Sequence, residues 1–78
     1  MNEQRAEEAP AIPRGYVLNW WHLPSGHIVQ ICQLWHCAET GRVMATLRYI
    51  QNEDGDLSPG SFDMALRNIT HYGRRVSK

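Results

Sequence analysis

The sequence lacks the features of a membrane protein, of a secreted protein and of a dedicated nucleic-acid binder. Its 78 residues contain no apolar run near the roughly 18 residues of a membrane-spanning helix, and no signal peptide is recognisable. Its formal net charge is zero, whereas a non-specific nucleic-acid binder usually has a clear basic excess. These absences predict a soluble, cytoplasmic protein.

Cysteine is scarce, and the two thiols are not placed to form an internal disulfide. If Cys32 and Cys37 share one extended segment, a rise of about 3.3 Å per residue separates them by roughly 16 Å. A disulfide needs Cα atoms within about 7 Å. We therefore expect two free thiols in a reducing compartment, unless they bridge two chains.

Catalytic motifs are missing too. The chain has no phosphate loop and no dinucleotide fingerprint. His36 and Cys37 are neighbours, but neighbouring strand residues point to opposite faces and cannot form a nucleophile–base pair. The sequence predicts neither an enzyme nor a cofactor.

Metal-ligating residue types are present in unfavourable patterns. Structural zinc sites favour ligand pairs two to four residues apart, whereas the histidines and cysteines here fall on both faces of the predicted strands: His22, His27, Cys32, His36 and Cys37. Asn52, Asp54, Asp56 and Ser58 alternate as in a calcium loop, but glycine occupies the fourth position instead of the sixth. We therefore interpret this segment as an acidic, solvated turn and predict no metal site.

What remains is the composition of one small domain, with 42% hydrophobic residues. Residues 1–15 predict a flexible N-terminal arm, residues 16–75 a single α+β domain, and residues 76–78 a tail. A core of about 60 residues supplies only a few kcal/mol. A second copy or a bound partner would stabilise it.

The predicted sheet has three strands, at residues 16–23, 27–36 and 42–50, which are rich in Trp, Tyr, Val, Ile and Leu. Pro24-Ser25-Gly26 and Glu39-Thr40-Gly41 are typical hairpin turns. They pair Leu23 with His27 and Ala38 with Arg42. Short connections favour a simple meander.

A helix is predicted after the polar loop at residues 52–60. Ser58 would cap it, Pro59 would occupy its first position, and Gly73 would end it in the left-handed conformation. Its sheet-facing side would be apolar and consist of Phe62, Ala65, Leu66 and Ile69. The predicted fold is therefore a three-stranded antiparallel sheet, β-β-β-α, with one C-terminal helix packed on one face.

The predicted register divides the sheet residues between two faces. The face under the helix would carry Val17, Trp21, Leu23, Val29, Ile31, Trp35, Val43, Ala45, Leu47 and Tyr49, interrupted by Asn19, His27 and Gln33. The other would carry Tyr16, Leu18, Trp20, His22, Ile28, Gln30, Cys32, Leu34, His36, Met44, Thr46, Arg48 and Ile50. One helix covers one side of a sheet, so the second, half-apolar face is a predicted interaction surface.

The residues predicted to bind a protein partner comprise an aromatic and basic group and an acidic loop. They are Tyr16, Trp20, His22, Arg48, Glu53, Asp54 and Asp56. Three occupants of the surface are consistent with the sequence: a second copy of the chain, the N-terminal arm, or a different protein.

The alternative function is a small nucleic-acid-binding regulator, such as a repressor or an antitoxin-like module. Tyr16, Trp20, His22 and Arg48 on one open face would form a stacking platform for a single strand. Arg67, Arg74 and Arg75 would form a rim that contacts phosphates.

In size and general design the chain resembles the small anti-CRISPR inhibitors of phages and mobile elements. The likeness covers about residues 16–75 and lies in the hairpin sheet with a helix, the aromatic Tyr16 and Trp20, and the acidic loop Glu53-Asp54-Gly55-Asp56. It implies a protein that occludes a nucleic-acid-handling complex. It transfers no functional residue.

Overall fold

A five-stranded antiparallel sheet with one helix forms the domain in the computed structural model, which describes residues 12–76. The elements follow a short 3₁₀ turn at Arg14–Tyr16: β1 Trp20–His22, β2 Ile28–His36, β3 Val43–Tyr49, β4 Phe62–Ala65, α1 Leu66–Tyr72 and β5 Arg74–Val76. The strand order is β4-β3-β2-β1-β5. The α+β class with an antiparallel sheet is confirmed, whereas the prediction of three strands is wrong.

Strand β4 occupies the segment predicted as the first turns of the helix. Phe62 pairs with Leu47 of β3, and Asp63 pairs with Thr46. Ser58 caps no helix; its N–H donates to the carbonyl of Tyr49 at 2.9 Å. The segment alternates apolar and polar side chains, and the open edge of β3 offers unpaired backbone groups, so strand pairing prevails over helical spacing.

Gly73 ends the helix for a different reason from the one predicted. Its φ of −91° and ψ of 173° are extended, not left-handed. A Cβ atom here would lie 2.7 Å from the carbonyl oxygen of Ile69 and 3.2 Å from that of His22. Only glycine permits this close approach, which brings the chain from α1 into β5.

The first hairpin has the predicted register and the second does not. The N–H of Leu23 donates to the carbonyl of His27 at 2.9 Å, as the turn chemistry predicts. In the second hairpin Cys37, not Ala38, pairs with Arg42. A shift of one residue in the pairing of β2 with β3 would place every side chain of β2 on the face opposite to the predicted one.

A β-bulge at Cys32 limits this change of face to the residues that follow it in β2. The pairing passes from Ile31 opposite Leu47 directly to Gln33 opposite Thr46. Cys32 is therefore the extra residue. Between Ile28 and Ile31 the side chains keep the faces that the sequence predicts.

Beyond the bulge, residues 33–36 lie on the faces opposite to those predicted. Leu34 lies opposite Ala45 and packs against the core, while Trp35 lies opposite Met44 on the other side. The predicted faces are wrong for Gln33, Leu34, Trp35 and His36.

The core lies between the sheet and α1 and is apolar throughout. Its buried residues are Trp21, Leu23, Val29, Ile31, Ala45, Leu47, Leu66 and Ile69. All the sheet members of this set are among those predicted. Tyr49, predicted in the same row, is 40% exposed and stacks on Phe62 with ring centroids 4.9 Å apart.

The predicted N-terminal arm lies largely outside the described residues, as do residues 77 and 78 of the predicted tail. Tyr16 closes the 3₁₀ turn and packs beside Trp21 with ring centroids 6.0 Å apart. Its predicted place on the other face is therefore wrong. Val17, predicted under the helix, is 40% exposed. Within residues 12–76 no helix is both long and apolar enough to cross a membrane.

Candidate interaction site on the helix-free face

We call the side of the sheet opposite α1 the helix-free face. The pairing register and the alternation of side chains assign to it Trp20, His22, Ile28, Gln30, Gln33, Trp35, Met44, Thr46, Arg48, Ile50, Asp63 and Arg74. Apolar and polar side chains are mixed, with indole rings on β1 and β2. Tryptophan, methionine and arginine are enriched in protein interfaces, so this face is a candidate interaction site.

The loop at residues 51–60 contains Glu53, Asp54 and Asp56 and is called the acidic loop from here on. It lies against the helix-free face. Ile50 and Leu57 form a bridge that closes the loop, and Gly55 lies on the indole of Trp20. A Cβ atom on Gly55 would be 2.9 Å from Cζ2 and 3.3 Å from Cη2 of Trp20. The bare backbone of Gly55, with φ of +88°, is what allows the loop to contact the ring.

Asn52 holds the acidic loop in shape. Its Oδ1 accepts from the N–H groups of Asp54 at 3.0 Å and Asp56 at 3.3 Å. Its Nδ2 donates to Oδ2 of Asp56 at 2.9 Å. These are Asx-type hydrogen bonds that a short polar side chain makes to its own loop. The loop therefore presents Glu53, Asp54 and Asp56, all exposed, from an ordered backbone.

A cleft of about 610 Å³ lies between the acidic loop and the β1–β2 turn. It is lined by Trp20, Gly26, His27, Ile28, Ile50, Gln51, Asn52 and Glu53. The Nε1–H of Trp20 donates to Oε1 of Gln30 at 3.1 Å and fixes the indole across the sheet. The cleft combines apolar side chains with a carboxylate at its rim, an environment that suits the long side chain of a lysine or arginine.

Trp35 is a surface residue that the sequence prediction missed. Its Nε1–H donates to Oγ1 of Thr46 at 3.0 Å, and the Thr46 hydroxyl donates to Oδ1 of Asp63 at 2.9 Å. This chain of hydrogen bonds joins β2, β3 and β4 and orients the second indole. The adjacent pair Leu34-Trp35 was the available signal, because two large apolar neighbours in one strand cannot both face the core.

Basic groups lie on both sides of Trp20. The Nε of Arg48 donates to the carbonyl of Ser58 at 2.7 Å, so this guanidinium anchors the end of the acidic loop. On the opposite side, β5 places Arg74 next to His22. The predicted set of Trp20, His22 and Arg48 is thus brought together on one face.

Other predicted residues lie elsewhere. Tyr16 belongs to the core side, and Arg67 is exposed on α1. Arg75 lies opposite Trp21, and its Nη2 donates to Oδ1 of Asn19 at 3.2 Å. The predicted phosphate-contacting rim is therefore divided between different surfaces.

Among residues 12–76, no three histidine, cysteine or acidic side chains come together in a group that could hold a metal ion. The pKa of Cys37, in the β2–β3 turn, is lowered because the Thr40 hydroxyl and the backbone N–H groups of Thr40 and Glu39 stabilise its thiolate. That thiol lies at the end of the sheet, outside the cleft.

Comparisons with protein families, with curated protein sequences and with solved structures found no match. The site is therefore interpreted from its own geometry.

Proposed function

We propose that this protein is a non-enzymatic binding protein that attaches its helix-free face to a basic surface of another protein and occludes that surface. One observation carries the proposal: the acidic loop packs its Gly55 on Trp20, so the carboxylates and the indole form one continuous site. Two features that are separate in the sequence thereby support the same interaction.

The two parts of the site supply different components of binding. Exposed carboxylates at Glu53, Asp54 and Asp56 raise the association rate with a positively charged surface and discriminate against acidic ones. Trp20 and Trp35, fixed by hydrogen bonds, are the type of rigid aromatic residue that dominates binding energy. Proteins that handle nucleic acids present basic channels, so such a partner fits. The assignment to anti-CRISPR inhibitors stays a prediction.

A matched pair of charge reversals tests the acidic part. Glu53 lines the cleft, whereas Glu39 is an exposed glutamate in the β2–β3 turn. A partner captured by the tagged full chain would be purified, and its affinity measured for wild type, E53K and E39K at low and high salt. We expect several-fold weaker binding for E53K only, with the difference shrinking at high salt. Equal effects of the two reversals would contradict the proposal.

The aromatic part needs a separate test. The double variant Trp20→Ala with Arg48→Ala removes the indole and the anchor of the loop, and should abolish most of the binding. The full chain and Trp20→Glu would also be sized by light scattering. A wild-type dimer that becomes a folded monomer in Trp20→Glu would identify the face as a self-interface and reject the proposal of a foreign partner.

A second candidate function, binding of single-stranded nucleic acid, is favoured by one specific observation. The register places Arg74 beside His22 on the face that carries both Trp20 and Trp35, an arrangement that suits stacked bases and a phosphate. Arg74→Gln and Arg75→Gln form the matched pair, because Arg75 lies opposite Trp21. Fluorescence anisotropy with an oligothymidylate should show weaker binding for Arg74→Gln alone. No detectable binding of the oligonucleotide would exclude this function.

A further inference from the structure

A groove on the helix side of the molecule is lined by basic side chains, unlike the cleft beside the acidic loop on the helix-free face. It has a volume of about 470 Å³ and is lined by Arg42, Arg67, Asn68, Thr70, His71 and Tyr72. We call it the helix groove. Every lining side chain carries a hydrogen-bond donor, and no carboxylate lies among the lining residues that the structure describes.

Two separate elements bring the basic side chains together. Arg42 precedes β3, and its backbone is fixed by the hydrogen bond from the Cys37 N–H to its carbonyl at 2.9 Å. Arg67 and His71 are four residues apart on α1 and therefore lie on the same side of the helix. The groove is thus bounded on one side by a strand end and on the other by one flank of the helix.

The arginines that the sequence predicts to form one basic rim lie on different surfaces of the structure, and one of them lies in the helix groove. The sequence predicts one rim of Arg67, Arg74 and Arg75, which lie on or after the predicted helix. In the structure Arg67 lines the helix groove with Arg42 instead, while Arg74 belongs to the helix-free face. The acidic loop contacts Trp20 on that opposite face, so its carboxylates do not line the groove.

We propose that the helix groove binds an oxyanion of the phosphate type. A guanidinium donates two parallel N–H bonds that match the geometry of a phosphate, and two arginines can hold one such group from both sides. The Asn68 amide and the His71 ring supply further donors from the helix, while the Thr70 hydroxyl donates to the carbonyl of Arg67 at 3.3 Å. The ligand is a free phosphorylated compound or the phosphate of a nucleic-acid backbone, which share this chemistry.

The test is an NMR titration of the full chain with pyrophosphate. We expect saturable shifts of the amide signals of Arg42 and of residues 67–71, and of the Nε–H signals of Arg42 and Arg67. The double variant R42Q/R67Q should bind at least about tenfold more weakly, since charge-assisted hydrogen bonds are lost. The three indole N–H signals would verify that the variant is folded.

The matched control is R74Q/R75Q, which removes the same charge from β5, an edge strand of the sheet. Its affinity for pyrophosphate should stay within about twofold of wild type, because neither arginine lines the groove. Equal weakening of both double variants, or shifts that never saturate, would overturn the proposal. A parallel titration with oligothymidylate distinguishes the sources: tighter, salt-dependent binding at the same residues indicates a nucleic-acid phosphate, and pyrophosphate binding alone indicates a small ligand.

Discussion

The two faces of one sheet differ in how their side chains are held. On the side of α1, Val29, Ile31, Leu47 and Ile69 have no exposed surface, and no buried polar or charged residue occurs in the part of the chain that the structure describes. The Nε1–H of Trp21 is buried there without a hydrogen-bond partner among residues 12–76. The side chains of that face are held by hydrophobic burial.

On the helix-free face the side chains are held by hydrogen bonds. Trp20 is bonded to Gln30, and Trp35 to Thr46. Polar bonds of this kind contribute little net stability, about 1 kcal/mol each, but they fix direction. The comparison teaches that one face stabilises the domain by burial, whereas the other holds two indole rings in fixed orientations.

The largest expected difference in stability is between two single-residue deletions. They test whether the bulge determines which face each side chain of β2 occupies. Cys32 is the extra residue of the bulge, so its deletion leaves a regular strand with every side chain on its present face. We expect a folded protein that loses roughly 1–2 kcal/mol of unfolding free energy. Deletion of Thr46, at the same level of β3, moves half of that strand to the wrong face and should unfold the domain.

Circular dichroism and urea unfolding would measure both deletions. If removal of Cys32 were as damaging as removal of Thr46, the bulge would not be what sets the two faces.

The next difference in stability is between isoleucine-to-alanine substitutions at two positions of β2. Ile31 has no exposed surface, whereas Ile28 is partly exposed on the helix-free face. Ile31→Ala should lower the unfolding free energy by about 2–5 kcal/mol, because it creates a cavity in the core. Ile28→Ala should cost about 1 kcal/mol or less, since water can fill the space. Similar costs in urea unfolding would show that something covers the helix-free face.

A smaller effect is expected where α1 leaves the sheet. A methyl group on Gly73 meets two backbone carbonyls, neither of which can rotate away as a side chain would. Gly73→Ala should therefore cost about 1–3 kcal/mol. Gly60→Ala is the control, because no heavy atom lies within 4 Å of the added Cβ. Thermal unfolding should separate the two, and an unchanged midpoint for Gly73→Ala would contradict the close approach.

The positions of the hairpin turns and most of the core could be predicted because both depend on local signals. Gly26 and Gly41 have positive φ, as their turns require. The alternation from Val29 to Ile31 and from Ala45 to Leu47 correctly identifies buried positions. Here the sequence neighbours of each residue carry enough information.

The bulge, the outer strands and the placement of the acidic loop depend on distant parts of the chain. Phe62 to Ala65 fits both a helix and a strand, and only the free edge of β3 decides between them. Arg74 to Val76 has no strong strand propensity and pairs because β1 offers its other edge. Gly55 signals a turn, but nothing in the sequence indicates that it lies on Trp20. The sequence therefore predicts Trp20, His22 and Arg48 on one face, but it misplaces Tyr16, misses Trp35 and gives no sign of how the site is assembled.

The smallest expected difference between a variant and its control bears most directly on the site. Gly55 and Gly26 have φ of +88° and +96°, so alanine strains the backbone equally at both, by about 1–2 kcal/mol. At Gly26 the added methyl meets nothing within 4 Å, whereas at Gly55 it meets the far end of the Trp20 ring. Because the ring can yield, Gly55→Ala should cost only about 1 kcal/mol more than Gly26→Ala. Its distinctive result is a shifted Trp20 indole N–H signal with the Trp35 signal unchanged. An unmoved Trp20 signal would mean that the acidic loop does not contact the ring, and the carboxylates and the indole would then be separate surfaces.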